Sequence, residues 1–241
     1  MKTTEKMALR CRDARACRPA VIACLGDSVT HGCFELVDLP DGRFDTTYRP
    51  HEGYPAKLQR RLNALFPAAA PCVLDAGISG DSARGGLERL ARDVLSVRPD
   101  LVIVNFGLND ACHEEPDALA AYARAMAAIF DGVLDSGAEC MLLTPNFMCE
   151  YVPAFVTRND LRGIAAHCAR VQREGILARF VEAAREEARR RAVPVADAYA
   201  RWEALNRGGV DTTALLANGI NHPAGEMHEL FVETILEKLF E

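Results

Sequence analysis

The sequence lacks several features that would by themselves define a class of protein. It has no apolar run of eighteen residues and no apolar run of signal-peptide length near its start, so we expect neither a membrane span nor export. The net charge of -6 argues against a nucleic-acid binder, which needs a basic face to neutralise phosphates. The nine cysteines include no C-x-x-C pair, so we expect reduced thiols in a cytoplasmic protein. No metal-binding motif such as H-E-x-x-H is present, which favours a metal-independent protein.

The composition is that of an ordinary globular protein. Its 241 residues are 49% hydrophobic and 26% charged, which is enough to bury a full core around a sheet. The sequence contains no internal repeat, low-complexity tract or linker, so residues 19–241 are predicted to form one domain. Residues 1–18 mix charged and small apolar side chains without clear periodicity and are interpreted as a frayed N-terminal arm.

Short apolar runs alternate with amphipathic helical patterns along the chain. This alternation predicts an α/β fold with a parallel sheet, because strands buried on both faces consist of continuous runs of Val, Ile and Leu. The five predicted strands are Ala20–Leu25, Cys72–Asp75, Leu101–Phe106, Glu139–Thr144 and Val193–Ala196. Helices are predicted after Pro55, over Asp117–Asp135, along residues 170–191 and in the last sixteen residues.

Residues 33–52 form a longer connection than a strand and its following helix usually need. Within it, Asp41-Gly42 separates two stretches with apolar residues and is a strong hairpin signal, since glycine tolerates positive φ. We predict a β-hairpin insertion beside the pocket mouth, acting as a lid or as the arm of a homodimer. A floppy insertion is the alternative interpretation.

Four polar blocks are predicted to lie near one edge of the sheet. In open α/β sheets, reactive groups collect just beyond the carboxyl ends of the strands. Three blocks follow the first, second and third predicted strands, and the fourth precedes the last helix. They are Gly26-Asp27-Ser28, Gly77–Asp81, Gly107–Asp110 and Asn221-His222-Pro223.

These blocks supply what acyl transfer requires: a nucleophile, a base, and donors for the oxyanion of the tetrahedral intermediate. Ser28 offers a hydroxyl on a sharp turn, and Asp27 is interpreted as holding that turn through backbone N–H groups. His222 is the only one of six histidines in a motif context. Gly80 lets a backbone N–H approach a ligand closely. Asn109 offers a neutral amide donor, whereas an Asp there would repel the developing negative charge.

Together the four blocks resemble those of the SGNH hydrolase family, also called GDSL-like, over nearly the whole chain. Val29 stands where the nucleophile block of that family usually has Leu. The resemblance implies a three-layer α/β/α sandwich with a flavodoxin-like, five-stranded parallel sheet. It also implies ester hydrolysis through an acyl-serine, without metal or organic cofactor. Ser28 is then the nucleophile, His222 its base, and Ser28, Gly80 and Asn109 form the oxyanion hole.

One position departs from the family pattern. The final block normally has Asp three residues before His, and Gly219 stands there. Asn218, four residues before His222, is predicted to orient the imidazole in its place, as Asn does in papain-like enzymes. Asp211, the nearest upstream carboxylate, and a backbone carbonyl are the alternatives.

The resemblance does not fix the substrate, because family members act on thioesters, lipid esters and acetylated sugars. We predict hydrolysis of a small acyl or acetyl ester. An acyltransferase on the same scaffold is one alternative. A non-catalytic ligand-binding protein that has lost the triad acid is another.

Overall fold

The computed structural model describes all residues, 1–241, and is built around one parallel sheet. The strands of the chain are β1 (Val21–Gly26), β2 (Cys33–Asp38), β3 (Phe44–Tyr48), β4 (Cys72–Gly77), β5 (Leu101–Asn105), β6 (Glu139–Leu143) and β7 (Val195–Ala196). Five of them form the sheet in the order β4-β1-β5-β6-β7, and every neighbouring pair is parallel. This is the flavodoxin-like order, so the predicted fold class is confirmed. The remaining two strands pair as an antiparallel hairpin.

Helices cover both faces of the sheet. They are α1 (Lys2–Arg12), α2 (Tyr54–Leu65), α3 (Ala83–Asp93), α4 (Leu108–Ala111), α5 (Ala118–Asp135), α6 (Asn159–Arg173), α7 (Ile176–Arg190), α8 (Ala198–Arg207) and α9 (His228–Phe240). Helices α3, α5 and α7 pack together in one layer, and α2, α8 and α9 pack in the other. Strand β5 is therefore buried along its whole length, as its apolar sequence predicts. None of the helices combines the length and the apolar character that crossing a bilayer requires.

The amphipathic pattern along residues 170–191 belongs to two helices rather than one. The break falls at Gly175, whose φ of +67° lies in the left-handed region and ends the run of helical backbone. Helix α6 begins well before the predicted start, at Asn159, so the sequence pattern located the apolar stripe but missed this boundary.

The N-terminal residues are not a frayed arm, and this prediction is corrected. Residues Lys2–Arg12 form α1, in which Thr3 and Met7 are buried. Glu139, at the start of β6, accepts the Thr3 N–H at 2.8 Å, and Lys6 forms a 2.7 Å ion pair with Asp100, just before β5. Because only two side chains of α1 are buried, the helix carries almost no apolar periodicity that the sequence could reveal. It packs at the amino ends of the strands, opposite the carboxyl edge that bears the polar blocks.

Candidate active site

The candidate nucleophile Ser28 lies on a tight turn directly after β1. The turn begins at Gly26, where a Cβ would lie only 2.0 Å from a threonine hydroxyl, so glycine alone fits. The Asp27 carboxylate accepts the Val29 N–H at 3.0 Å, and the Ser28 carbonyl accepts the Cys33 N–H at 3.0 Å. These bonds fix Ser28 at the carboxyl edge of the sheet, where 4% of its surface is exposed.

Asp27 holds the turn but is itself in an unfavourable place for a charge. Burial raises the pKa of its carboxyl to about 7, and the nearby carboxylates of Asp110 and Asp81 raise it as well. Asp110 accepts the Ala83 N–H at 3.0 Å through one oxygen, while its other oxygen is buried without a partner. Burial likewise raises the pKa of Asp110 to about 6. Both carboxyl groups therefore titrate near neutrality.

His222 makes the two contacts that a general base needs. Its Nε2 lies 3.0 Å from the Ser28 Oγ, and its Nδ1 lies 3.0 Å from the carbonyl oxygen of Phe34. A carbonyl only accepts hydrogen bonds, so Nδ1 carries the proton and Nε2 presents a lone pair to the serine hydroxyl. Burial lowers the pKa of His222 below its ordinary value, which keeps the imidazole neutral and able to accept a proton at neutral pH.

Asn218 does not orient the imidazole, and this prediction is corrected. Its Oδ1 accepts the backbone N–H groups of Ile220, Asn221 and His222, each at 2.9 Å. Its Nδ2 donates to the Asn221 side chain at 3.0 Å. All its hydrogen bonds lie within the loop, so Asn218 shapes the backbone that carries His222 and does not reach the ring. The spacing of four residues placed it near His222 in the chain but could not show where its side chain points.

The other candidate acid is also engaged elsewhere. Asp211 accepts the Tyr151 hydroxyl at 2.6 Å and caps the turn at Thr213 through that residue's N–H at 3.1 Å. Among the alternatives that the sequence left open, the structure shows the backbone carbonyl at the imidazole Nδ1.

The position of the missing acid is crowded and has backbone angles that favour glycine. Gly219 has a φ of +66°, and a Cβ built there would lie 2.5 Å from the ring of Phe155. An Asp at this position would need both a strained backbone and a displaced aromatic ring. The group that contacts the imidazole Nδ1 comes instead from the hairpin, as the Phe34 carbonyl.

Three donors predicted for the oxyanion are available at the same edge. The backbone N–H groups of Ser28 and Gly80 donate no hydrogen bond within the protein. Gly80 is exposed, has a φ of +77°, and has nothing within 4 Å of where a Cβ would lie. The Asn109 amide donates to the Asp81 carbonyl at 2.7 Å, which fixes the side chain and leaves its second hydrogen free. Each of these three groups therefore has a hydrogen left to donate to a further acceptor.

A buried arginine, which the sequence patterns did not single out, ties these donors to the sheet. Arg89 donates to the carbonyls of Gly26 and Ala76 at 2.9 and 2.6 Å, and to the Asp81 carboxylate at 2.7 Å. It thus links the ends of β1 and β4 to the loop that holds Asn109. In the sequence, Arg89 looks like an ordinary polar residue on the solvent face of an amphipathic helix, so nothing in the sequence indicated that its side chain would be buried at the site.

Two more histidines adjoin the site without taking a base position. His31 accepts the Ser79 N–H at 3.2 Å and thereby supports the glycine block. His228 is buried, accepts the Tyr54 N–H at 3.0 Å, and has its pKa lowered to about 3 by burial. No group of three or more His, Cys, Asp or Glu side chains is arranged to hold a metal ion.

The chain resembles known esterases in sequence. It is 32% identical over 108 residues to Esterase TesA of Pseudomonas aeruginosa, a match that covers 43% of this chain and 52% of that protein. It is 33% identical over 86 residues to an acetylxylan esterase of Geobacillus stearothermophilus, covering 36% of this chain and 37% of that protein. The matched segment thus spans about half the length of the first curated relative, and less of the second.

Two solved structures share the fold over almost the whole chain. A lipase/acylhydrolase from Enterococcus faecalis superposes with a TM-score of 0.67 at 23% identity, covering 91% of this chain and 95% of that one. A catalytic mutant of Axe2, an acetylxylan esterase from Geobacillus stearothermophilus, gives a TM-score of 0.67 at 18% identity, covering 92% and 94%.

The fold, the site geometry and the sequence together define the family of this chain. The four blocks lie at the carboxyl edge of a flavodoxin-like sheet, with the serine and histidine of the first and last blocks in contact. The chain belongs to the GDSL-like Lipase/Acylhydrolase family, whose sequence profile matches residues 24–230. The predicted family membership is confirmed.

Proposed function

We propose that this protein hydrolyses small carboxylic esters through an acyl-serine intermediate formed on Ser28. The observation that carries the proposal is the 3.0 Å contact between the Ser28 Oγ and the His222 Nε2, with Nδ1 anchored on a carbonyl. A nucleophile, a base and an orienting group in series are the arrangement that activates a serine hydroxyl. The depressed pKa of His222 supports its role as a base at neutral pH.

The acylation half of the reaction follows from these contacts. His222 takes the proton of Ser28 at Nε2 while Oγ attacks the ester carbonyl carbon. The oxyanion that forms accepts hydrogen bonds from the N–H groups of Ser28 and Gly80 and from the Asn109 amide. The imidazolium then gives its proton to the alcohol oxygen as the C–O bond breaks, leaving an acyl group on Ser28.

Water completes the cycle by the same route. His222 removes a proton from the water as its oxygen attacks the acyl carbon, and then returns the proton to Ser28 as the acid leaves. The Phe34 carbonyl holds the correct tautomer throughout, because it can accept only from Nδ1–H. In a serine protease, replacing the triad Asp with Asn costs about 10⁴ in turnover through the wrong tautomer, a penalty that an obligate acceptor avoids.

Several observations support a small acyl group. Only 4% of Ser28 and 7% of His222 are exposed, so little of the reacting pair is open to a bulky substrate. One of the sequence relatives is an acetylxylan esterase, which makes an acetyl ester a reasonable first substrate.

We also propose a cytoplasmic location, which nine free thiols support.

A panel of p-nitrophenyl esters from acetate to palmitate tests this function. We expect turnover to be highest on the shortest acyl groups, to vanish in Ser28→Ala, and to persist in EDTA. Loss of activity in EDTA that zinc or manganese restores would contradict the mechanism. No turnover on any ester by the folded protein would favour the ligand-binding alternative, and acyl transfer to an added sugar in preference to water would favour an acyltransferase.

A further inference from the structure

The carbonyl that contacts His222 comes from an irregular point in the hairpin. Cys33 pairs with Tyr48, but Leu36 pairs with Thr46, so the two residues between them on β2 oppose a single residue on β3. This is a β-bulge, which leaves a residue unpaired in the ladder and is common next to active sites. Phe34, the first bulged residue, is fully buried and turns its carbonyl out of the ladder toward the imidazole.

Arg49 holds both residues of the bulge. Its guanidinium donates two hydrogen bonds to the Glu35 carboxylate, at 2.5 and 2.8 Å, and its Cζ lies 4.4 Å from the centroid of the Phe34 ring. Its backbone N–H donates to the Gly32 carbonyl at 2.8 Å. A cation over an aromatic ring and a bidentate carboxylate pair both restrict geometry, so the bulge is fixed from its side chains as well as its backbone.

The same Phe34 ring also packs in the core near the active site. Its centroid lies 5.1 Å from the ring of His228, which is held by the Tyr54 N–H. The Phe34 ring is therefore contacted by Arg49 and by His228 of the packed interior. Glu35 also accepts the Thr47 hydroxyl at 2.7 Å, but Arg49 is its one positively charged partner and the one that also contacts the Phe34 ring.

We propose that Arg49 is a positioning residue for His222, acting by locking the bulge whose Phe34 carbonyl orients the imidazole. The inference rests on the proposed hydrolysis at Ser28. Arg49 touches neither the nucleophile nor the base, so its effect is on geometry, and a misplacement of about 1 Å in a catalytic group can cost about 100-fold. In this chain the hairpin takes over the role that a triad carboxylate has in other serine hydrolases.

The test compares two arginines that each stack on a hairpin phenylalanine. Arg49→Met keeps an unbranched apolar side chain but removes the guanidinium that lies over Phe34. Arg158→Met does the same for the guanidinium that lies 5.5 Å from the centroid of the Phe44 ring. Arg158 pairs with Asp38 and contacts only the outer part of the hairpin. We expect Arg49→Met to lower kcat at least tenfold with KM within twofold, and Arg158→Met to leave both unchanged.

A spectroscopic readout separates positioning from general destabilisation. In the wild type we expect a protected, downfield proton resonance for the His222 Nδ1–H, which His222→Ala removes and Arg158→Met retains. Arg49→Met should lose or shift this resonance, and Arg49→Lys should restore it in part. Glu35→Gln removes the charge of the same ion pair but keeps a side chain of the same size, and it should also lower kcat. It replaces Arg49→Met in the test if that variant does not fold.

The outcomes are distinct. A folded Arg49→Met with kcat within twofold of wild type and an unchanged Nδ1–H resonance overturns the positioning role. An equal loss in Arg158→Met also overturns it, since the effect would then belong to the hairpin as a whole. If the wild type shows no esterase activity, the proposed function fails, while the resonance still reports whether Arg49 fixes the imidazole.

Discussion

The carbonyl oxygen of Phe34 lies 3.0 Å from the Nδ1 of His222 and occupies the place that a carboxylate has in a serine triad. A carbonyl dipole selects the same tautomer as a carboxylate but carries no full charge to balance the imidazolium. The imidazole of His222 is therefore held by burial and by an uncharged acceptor.

The first prediction concerns the loop residue Asn218. Asn218→Ala removes the acceptor for three backbone N–H groups, and each unsatisfied buried donor costs about 1–3 kcal/mol. For a protein of this size each kcal/mol corresponds to about 2–4 °C in Tm, so thermal unfolding should show a clear drop. Asn218→Asp keeps the acceptor oxygen and should retain kcat/KM within about threefold, since neither side chain reaches the imidazole. A gain of about tenfold in Asn218→Asp would show that a carboxylate there does orient His222.

The second prediction concerns the empty position of the family's acid. Gly219→Asp should lower Tm and bring no gain in kcat/KM, because it combines positive φ with a collision with Phe155. Gly209→Asp is the matched control, since Gly209 has a φ of +87° and nothing within 4 Å of a built Cβ. We expect the loss in Gly219→Asp to exceed that control and Phe155→Ala to relieve the excess. Equal losses of Tm in Gly219→Asp and Gly209→Asp would mean that the Phe155 ring moves aside without a free-energy cost.

Much of the fold and part of the site were predictable from the sequence, for physical reasons that differ by element. Strand β5 is buried on both faces, so its run of apolar side chains shows in the sequence. Ser28 and His222 stand in recognisable blocks at the two ends of the chain, and the structure brings them into contact. The hairpin strands also formed where the Asp41-Gly42 turn signal predicted them.

What could not be predicted depends on groups without a sequence signature. Every residue carries a carbonyl, so nothing marks that of Phe34 as the partner of His222. The direction of the Asn218 side chain and the burial of Arg89 are likewise set by the folded backbone. Helix α1 was not predicted because its few buried side chains give too weak a helical pattern of apolar residues in the sequence.

The third prediction concerns the pH dependence of stability. Burial raises the pKa of Asp27 to about 7 from an ordinary value of 3.8, so the folded state binds this proton more tightly than the unfolded state. The resulting stabilisation is complete below the unfolded pKa and is lost as pH rises from about 4 to about 7. Asp27→Asn does not titrate and keeps an oxygen for the Val29 N–H. The wild type should therefore lose stability across that range relative to Asp27→Asn, so the Tm of the variant minus the Tm of the wild type should increase with pH. A difference in Tm that stays constant with pH would contradict the raised pKa of Asp27.

The fourth prediction concerns the oxyanion. Asn109→Ala should lower kcat by about 10²-fold while changing KM little, because the amide acts mainly on charge that develops in the transition state. Asn63→Ala, at an exposed asparagine of α2, is the control and should change neither constant. A rise in KM without a fall in kcat would assign Asn109 to substrate binding instead.

The most direct measurement is intact mass spectrometry after incubation with a fluorophosphonate, applied to the wild type and to Ser28→Ala and His222→Ala. An activated serine attacks phosphorus and displaces fluoride, so the wild type should gain one adduct per chain. Ser28→Ala should gain none, and His222→Ala should react far more slowly while circular dichroism shows an unchanged fold. The absence of an adduct on folded wild type between about pH 6 and 9, or its persistence in Ser28→Ala, would contradict the assignment of Ser28 as a nucleophile activated by His222.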